Sequence, residues 1–253
     1  MKTTPTIVGI VALFGMYSCK TLTGLHKYQL TSNTPASLGQ QSTENCAGMF
    51  PLNREIDLLA GENLSKFFFE LPDKNSPNGG WHLSNHTLIA IAGGPFSQLV
   101  TNCRFENFEL YFDWVITTGG NSGVKYLVDP RLGPLGLEYQ LLDDERHPDS
   151  KIGPKRQTGA LYDLYSPDRH KQLNQPGELN RSKIAYINGE GEHWLNDKKI
   201  LTFKRNGDEF QNHLDQSKFR GITNFATGPS GHLLLQHHGD QISFKKLILI
   251  NRR

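Results

Sequence analysis

The chain has 253 residues, 36% of them apolar and 21% charged, with 14 Phe, 8 Tyr and 3 Trp. That composition supplies a substantial core and excludes disorder over most of the length. Lys and Arg total 27 against 25 Asp and Glu, a net charge of +2, which lacks the basic excess of a phosphate-backbone binder, so nucleic acid is not expected as a partner.

In chain order, Lys2 precedes an apolar run from Ile7 to Met16. The run is too short to span the roughly 30 Å hydrocarbon core of a bilayer and has the form of a signal-peptide core over residues 1–18. Met16-Tyr17-Ser18-Cys19 approximates a bacterial lipobox, making Cys19 the expected lipidation site. An exported, periplasmic protein held to the outer membrane by lipid alone is therefore expected. No acidic stretch follows Cys19 that would argue for display at the cell surface. Cys46 and Cys103 would then be the remaining thiols, either bridged in an oxidising compartment or separately buried. Residues 19–49 are polar and without apolar periodicity, a tether, and the folded domain is expected over residues 50–253.

The clearest strand is Phe105–Thr117, where Phe108, Leu110, Phe112 and Trp114 alternate with Glu109, Tyr111 and Asp113. The same period of two recurs at Gly123–Val128, Gly136–Leu142, Ser182–Asn188, Glu192–Asn196, Lys199–Phe203, His232–His238 and Ile242–Ile250. Asn196-Asp197 predicts a tight hairpin, because both residues tolerate positive φ. Only Asp208–Phe219 predicts a helix. So many short strands without a fixed repeat predict an all-β, two-sheet antiparallel sandwich of jelly-roll type.

In such a sandwich, polar side chains at alternate positions stand on an outer face. Tyr111, Asp113, Lys125, Glu138, Gln140, His193, Gln236 and His238 are assigned to one such face by parity, as a ligand site or as a solvated sheet surface. The segment Glu138–Asp149 adds carboxylates and a His at a strand end, where loops place chemistry. A bulge between Glu138 and Asp143 would bring both to one side, a layout similar to the paired carboxylates of laminarinase-type retaining glycosidases. Asp143, His147 and His193 could also hold a divalent cation if the fold gathers them; a plain charged loop is the alternative.

Several motifs in order resemble the 3-keto-disaccharide hydrolase family, also described as 3-keto-glucoside lyase/hydratase. They are Asn121-Ser122-Gly123 with Lys125-Tyr126, GLEYQLLDDERHPDS from Gly136 to Ser150, Ala160-Leu161-Tyr162-Asp163, His193-Trp194-Leu195-Asn196, and HLLLQHHGDQISF from His232 to Phe244. The chain departs from the family pattern at His237, where an Asp commonly precedes His-Gly. The resemblance implies a concanavalin-A-like jelly roll that cleaves 3-keto-glycosides by removing the carbon-2 hydrogen, eliminating the aglycone and adding water. It points to Glu138, Asp143 and His193 for acid–base work and to Asn121, Lys125, Gln140, Tyr162 and His238 for sugar contacts. The partner expected is an oligosaccharide or 3-keto-glycoside substrate; a divalent metal ion is compatible with that chemistry and not demanded by it. A carbohydrate-binding lipoprotein without turnover, or an ordinary retaining glycosidase, are the rival functions.

Overall fold

A computed structural model describes residues 48–72 and 79–253. Thirteen strands form two antiparallel sheets. They are β1 Glu55–Asp57, β2 Phe68–Pro72, β3 Trp81–Ser84, β4 Thr87–Ala90, β5 Ser97–Phe105, β6 Asn107–Ile116, β7 Asn121–Val128, β8 Leu137–Leu142, β9 Asn180–Ile187, β10 Glu190–Leu195, β11 Lys198–Lys204, β12 Gly231–His237 and β13 Ile242–Arg252. The larger sheet runs β11-β10-β9-β6-β13-β4-β3, with β1 also paired to β13; the five-stranded sheet runs β2-β5-β12-β7-β8. The predicted two-sheet sandwich is thus observed.

Alternation dictates which faces meet. On β6, Phe108, Leu110, Phe112, Trp114 and Ile116 are all buried, and they face Tyr126 and Tyr139 of the other sheet. The rings of Phe112 and Tyr139 lie 5.4 Å apart edge to face, and those of Phe108 and Tyr126 5.8 Å. Such aromatic contacts each add about 0.5–1.5 kcal/mol beyond the area they bury. Phe50 is buried in the same core. Asn196 and Asp197 take φ of 45° and 66° at the β10–β11 hairpin, as their chemistry predicts.

The helix is shorter than expected. Helix α1 is Asn63–Phe67, and helix α2 is Asp208–Asp215. Phe219, assigned to α2 from sequence, lies beyond its end and stacks on Phe225 at 4.2 Å. Leu127 has φ 53°, and two β7 residues, Tyr126 and Leu127, oppose Leu233 alone on β12. This bulge reverses the alternation of β7, turning Leu127 into the main core and Val128 to the opposite side with Val100 and Leu234. Cys103 is disulfide-bonded; Cys46, like Cys19 and the signal and tether segments, lies outside the described residues.

A candidate active site on the five-stranded sheet

Strands β7, β8 and β12 place their polar residues on the outer face of the five-stranded sheet. Lys125 pairs across strands with Glu138, and in the neighbouring row Gly123 lies between Gln236 and Gln140. Gly123 has no side chain on this face, which lets Glu138 lean across it; a Cβ there would sit 2.3 Å from Glu138 Oε1. Glu138 Oε2 lies 3.6 Å from Lys125 Nζ, which also donates to the Pro134 carbonyl at 3.1 Å. With its amide oriented to satisfy both neighbours, Gln236 accepts from Lys125 Nζ at 3.2 Å and donates to Glu138 Oε1 at 3.3 Å. Gln140 Nε2 donates to Asn121 Oδ1 at 3.1 Å, whereas Gln140 Oε1 is buried without any hydrogen-bond partner. A lone buried acceptor beside an ion pair is a place for a ligand hydroxyl.

Parity was correct for these residues; exposure was not. Glu138 is only 6% exposed, Lys125 8% and Gln140 1%. This part of the sheet is a covered polar cluster and not a solvated surface. The edge of β8 is closed by chain 157–162, where Gly159 N–H donates to the Gln140 carbonyl and Tyr162 N–H to the Glu138 carbonyl. Tyr162 thereby stands beside Glu138, and its hydroxyl donates to Asp149 Oδ2 at 2.7 Å. Arg156 bridges Asp149 and Asp163, at 2.8 Å to each. Burial raises the Asp149 carboxyl, but the hydrogen bonds from Tyr162 and Arg156 outweigh it and hold the group below the usual carboxylate range. Burial and the Asp149 carboxylate both push the Tyr162 phenol up.

Lys218, which nothing local in the sequence marks, completes this wall. Its ammonium lies 4.0 Å from the centre of the Tyr162 ring and 5.2 Å from that of Phe219. The residue as a whole is exposed, yet its charged end is crowded. Burial lowers its pKa first, Glu138 opposes that, and Lys125 and Arg156 add to the lowering. Gly123 and Arg156 are likewise not marked for chemistry by the sequence, whereas Gln236 stands among the polar residues assigned by parity and Asp149 closes the acidic segment that begins at Glu138. Alternation marked Gln236, and the Tyr162-Asp163 motif marked the wall, but only the fold joins them.

Other expected site residues lie elsewhere. His193 is not on an outer face: it is fully buried between the sheets, donating from Nδ1 to the Gly159 carbonyl at 2.9 Å and accepting at Nε2 from the Tyr126 hydroxyl at 3.0 Å. Burial lowers its pKa to about 4, so it is neutral. In the His193-Trp194 pair the Trp takes the outer side, under Lys183 at 4.2 Å, because two buried oxygens satisfy the imidazole inside. Tyr111 and Asp113 belong to the eight-stranded sheet, so the eight polar residues do not share one face.

Asp143 is not brought to Glu138 by a bulge, since β7 and β8 pair in unbroken register from Asn121 to Tyr126. Its carboxylate instead accepts the backbone N–H groups of Gly119, Glu145 and Arg146, tying the end of β8 to the β6–β7 turn. Burial raises that carboxyl and these three bonds outweigh it, leaving it lowered. His147 accepts the Asp149 N–H at its own turn. Asp143, His147 and His193 are thus not gathered around a metal position, and no group of three or more His, Cys, Asp or Glu side chains among the described residues is arranged to hold one. His238 is exposed just past the end of β12. His237, the departure from the family pattern, is buried, donates from Nε2 to the Ile91 carbonyl and accepts the Gly239 N–H at Nδ1.

A cavity of about 250 Å³ is lined by Asp143 itself, with Asp144, Glu145, Arg169, Lys171 and Gln175 among its other walls. Neither Glu138, Lys125 nor Gln140 lines it.

Comparison with known proteins bears on the same residues. A curated 3-keto-disaccharide hydrolase of Bacteroides thetaiotaomicron is 31% identical over an alignment 179 positions long that covers 61% of this chain and 61% of that protein. A Parabacteroides distasonis crystal structure, provisionally described as a glycosyl hydrolase, superposes with a TM-score of 0.64 at 26% identity, covering 78% of this chain and all of the other. A second structure from that organism, described in the same way, gives 0.61 at 24% identity and supports the fold alone. The model of the 3-keto-alpha-glucoside-1,2-lyase-like domain matches residues 55–249, which include every strand of the five-stranded sheet and the whole Glu138 cluster, and the chain belongs to that family.

Proposed function

We propose that the protein is an exported carbohydrate-active enzyme that cleaves 3-keto-glycosides. A ketone at carbon-3 acidifies the hydrogen on carbon-2. A base removes that hydrogen, the electron pair moves through the enediolate, the bond from carbon-1 to the glycosidic oxygen breaks and that oxygen takes up the abstracted proton; water then adds across the new double bond, its hydroxyl to carbon-1 and its hydrogen to carbon-2. The sum is hydrolysis. The observation that carries this reading is Glu138, a carboxylate buried on a sheet face with Lys125 and Gln236 on its oxygens and the open acceptor of Gln140 beside it. Glu138 is the proposed base. Gln140, Asn121 and Tyr162 are placed to take sugar hydroxyls, and Lys125 to orient the base.

Family membership and the name of the curated relative support the substrate class. Nothing in the geometry recommends Asp143 or His193 for proton transfer to this substrate. Their oxygens and nitrogens are committed elsewhere. The apolar run Ile7–Met16 and Cys19 support export with lipid anchoring in the periplasm.

Incubating the purified chain with a glucoside and with its 3-keto derivative tests the proposal. Cleavage of the 3-keto compound alone is expected. Cleavage of the unoxidised glucoside would make the protein an ordinary glycosidase, and cleavage of neither would make it a binding protein.

A further inference from the structure

Three cations surround Tyr162 and Glu138, and their charges are spent unequally. Lys125 is paired with Glu138, and Arg156 is held between Asp149 and Asp163. Among the described residues no carboxylate lies in ion-pair contact with Lys218; its ammonium lies over the rings of Tyr162 and Phe219, with Glu138 and Asp163 acting on it from farther off. Its backbone is fixed, because Lys218 N–H donates to Asp163 Oδ2 at 2.7 Å, and the other oxygen of that carboxylate carries Arg156. Tyr162 links this cation to the proposed base: its N–H holds the backbone carbonyl of Glu138 while its ring carries the ammonium. With these groups ionised the cluster is balanced, three cations against Glu138, Asp149 and Asp163. Of these three cations, Lys218 is the one not bound to a carboxylate among the described residues, and one further negative charge would find it available.

The reaction proposed above creates such a charge. When the bond between carbon-2 and its hydrogen breaks, the proton goes to Glu138. The electron pair forms a double bond between carbon-2 and carbon-3, and the carbonyl electrons move onto the oxygen at carbon-3. Resting on that functional reading, we propose that Lys218 is a further catalytic residue, whose ammonium holds the carbon-3 oxygen as the ketone becomes an enediolate. The enediolate then collapses: the carbonyl re-forms, the double bond shifts to carbon-1 and carbon-2, and the glycosidic oxygen leaves with its bonding pair and takes the proton held by Glu138, which is thereby returned to its carboxylate form. Lys218 neither gains nor loses a covalent bond. A donor aimed at charge that develops only in the transition state lowers the barrier without tightening substrate binding.

The crowding that positions Lys218 also gives it a signature. Burial and the neighbouring Lys125 and Arg156 lower its pKa against the pull of Glu138 and Asp163, so its charge is lost at a lower pH than that of an ordinary lysine. An arginine at the same position stays charged throughout.

The test compares the wild type, Lys218→Met and Lys218→Arg in the full chain, using a 3-keto-glucoside. Exchange of the carbon-2 hydrogen with deuterated solvent is followed by NMR, alongside kcat, KM and their pH dependence. Loss of one oxyanion donor typically costs about 10²–10³ in kcat. Lys218→Met is expected to lose that much in both exchange and kcat, with KM within a few-fold and an unchanged circular dichroism spectrum. Lys218→Arg is expected to recover at least tenfold and to move the alkaline limb of the rate profile upward. Exchange by Lys218→Met within threefold of wild type would overturn the role of Lys218 alone, as would a sugar adduct trapped on Lys218 by borohydride, which would mean covalent and not electrostatic catalysis. If the wild type neither exchanges nor cleaves the 3-keto-glucoside, the functional reading falls and takes this role with it.

Discussion

Replacing Glu138 by Gln separates chemistry from packing. The carboxylate lies 3.6 Å from Lys125 Nζ, and at an effective dielectric constant of 20 that attraction is about 5 kcal/mol before desolvation is subtracted. Breaking a buried pair by removing one charge costs about 3–5 kcal/mol, because the other stays buried. Here Lys125 keeps the Pro134 carbonyl and the Gln236 oxygen, and a Gln at position 138 could itself accept from it, so a loss of about 2–3 kcal/mol is expected. For a domain of this size that lowers the thermal midpoint by roughly 2–4 °C per kcal/mol. Removing both charges in Glu138→Leu with Lys125→Met should recover most of the stability and none of the activity, since no base remains. Turnover of a 3-keto-glucoside by Glu138→Gln should fall about 10²–10⁴-fold. Urea denaturation of the single and double variants gives the coupling energy, and steady-state kinetics gives the turnover. A coupling below about 0.5 kcal/mol would refute the buried pair, and turnover within a few-fold of wild type would refute the base.

Gly123→Ala should reduce kcat at least tenfold and lower stability by up to about the 2–3 kcal/mol expected for Glu138→Gln, because the new methyl displaces the Glu138 carboxylate from Lys125 and Gln236 and not the strand; an unchanged kcat removes Gly123 from the argument. His193 has a folded pKa lowered to about 4, so the unfolded chain binds the extra proton between about pH 6.5 and 4. The contribution of its neutral form is complete above pH 6.5 and is lost as the pH falls towards 4, worth roughly 3 kcal/mol at most. His193→Phe should be less stable at pH 7 by about 1–3 kcal/mol, leaving the Gly159 carbonyl and Tyr126 hydroxyl unpaired, and should show a flatter acid limb in urea titrations. An equally steep limb in the variant would assign the acid sensitivity to other groups. Radiolabelled lipid should mark the wild type and not Cys19→Ala, and equal labelling of both would exclude Cys19 as the anchor.

Eight of the strands are legible from alternation because most of their length has one core face and one polar face, as Phe108 to Trp114 against Glu109 to Asp113 illustrates, with Val128 and Leu234 as apolar exceptions on the far side. The strands before Phe105 were not read. In β5, Leu99 faces the main core while Val100 packs on the far side with Leu234, so both faces are apolar and the period disappears. Parity also placed Glu138, Gln140 and Lys125 together, since their strands pair without a shift. It failed at His193, because a neutral imidazole with two buried partners satisfies the core as well as an apolar side chain does. Lys218 could not be found this way at all. Its place depends on Asp163 and Tyr162, more than fifty residues away in sequence.

The same geometry bears on which glycosidic chemistry this face can support. A retaining glycosidase needs two carboxyl groups about 5–5.5 Å apart, one to attack carbon-1 and one to protonate the leaving oxygen. Asp143, the partner that spacing offered to Glu138, lies past the end of β8 with both oxygens bound to backbone N–H groups. Asp149 and Asp163 carry Arg156, which leaves neither as a free acid. Glu138 is therefore one carboxylate among cations. That set suits removal of an already acidic proton followed by stabilisation of the anion formed, and a substrate without a ketone presents neither demand. The discriminating variant is Lys218→Met assayed with an unoxidised glucoside. An enzyme of the elimination type shows no activity on that substrate with either residue, whereas a direct hydrolase would show activity that survives loss of the lysine, since no enediolate forms on its path.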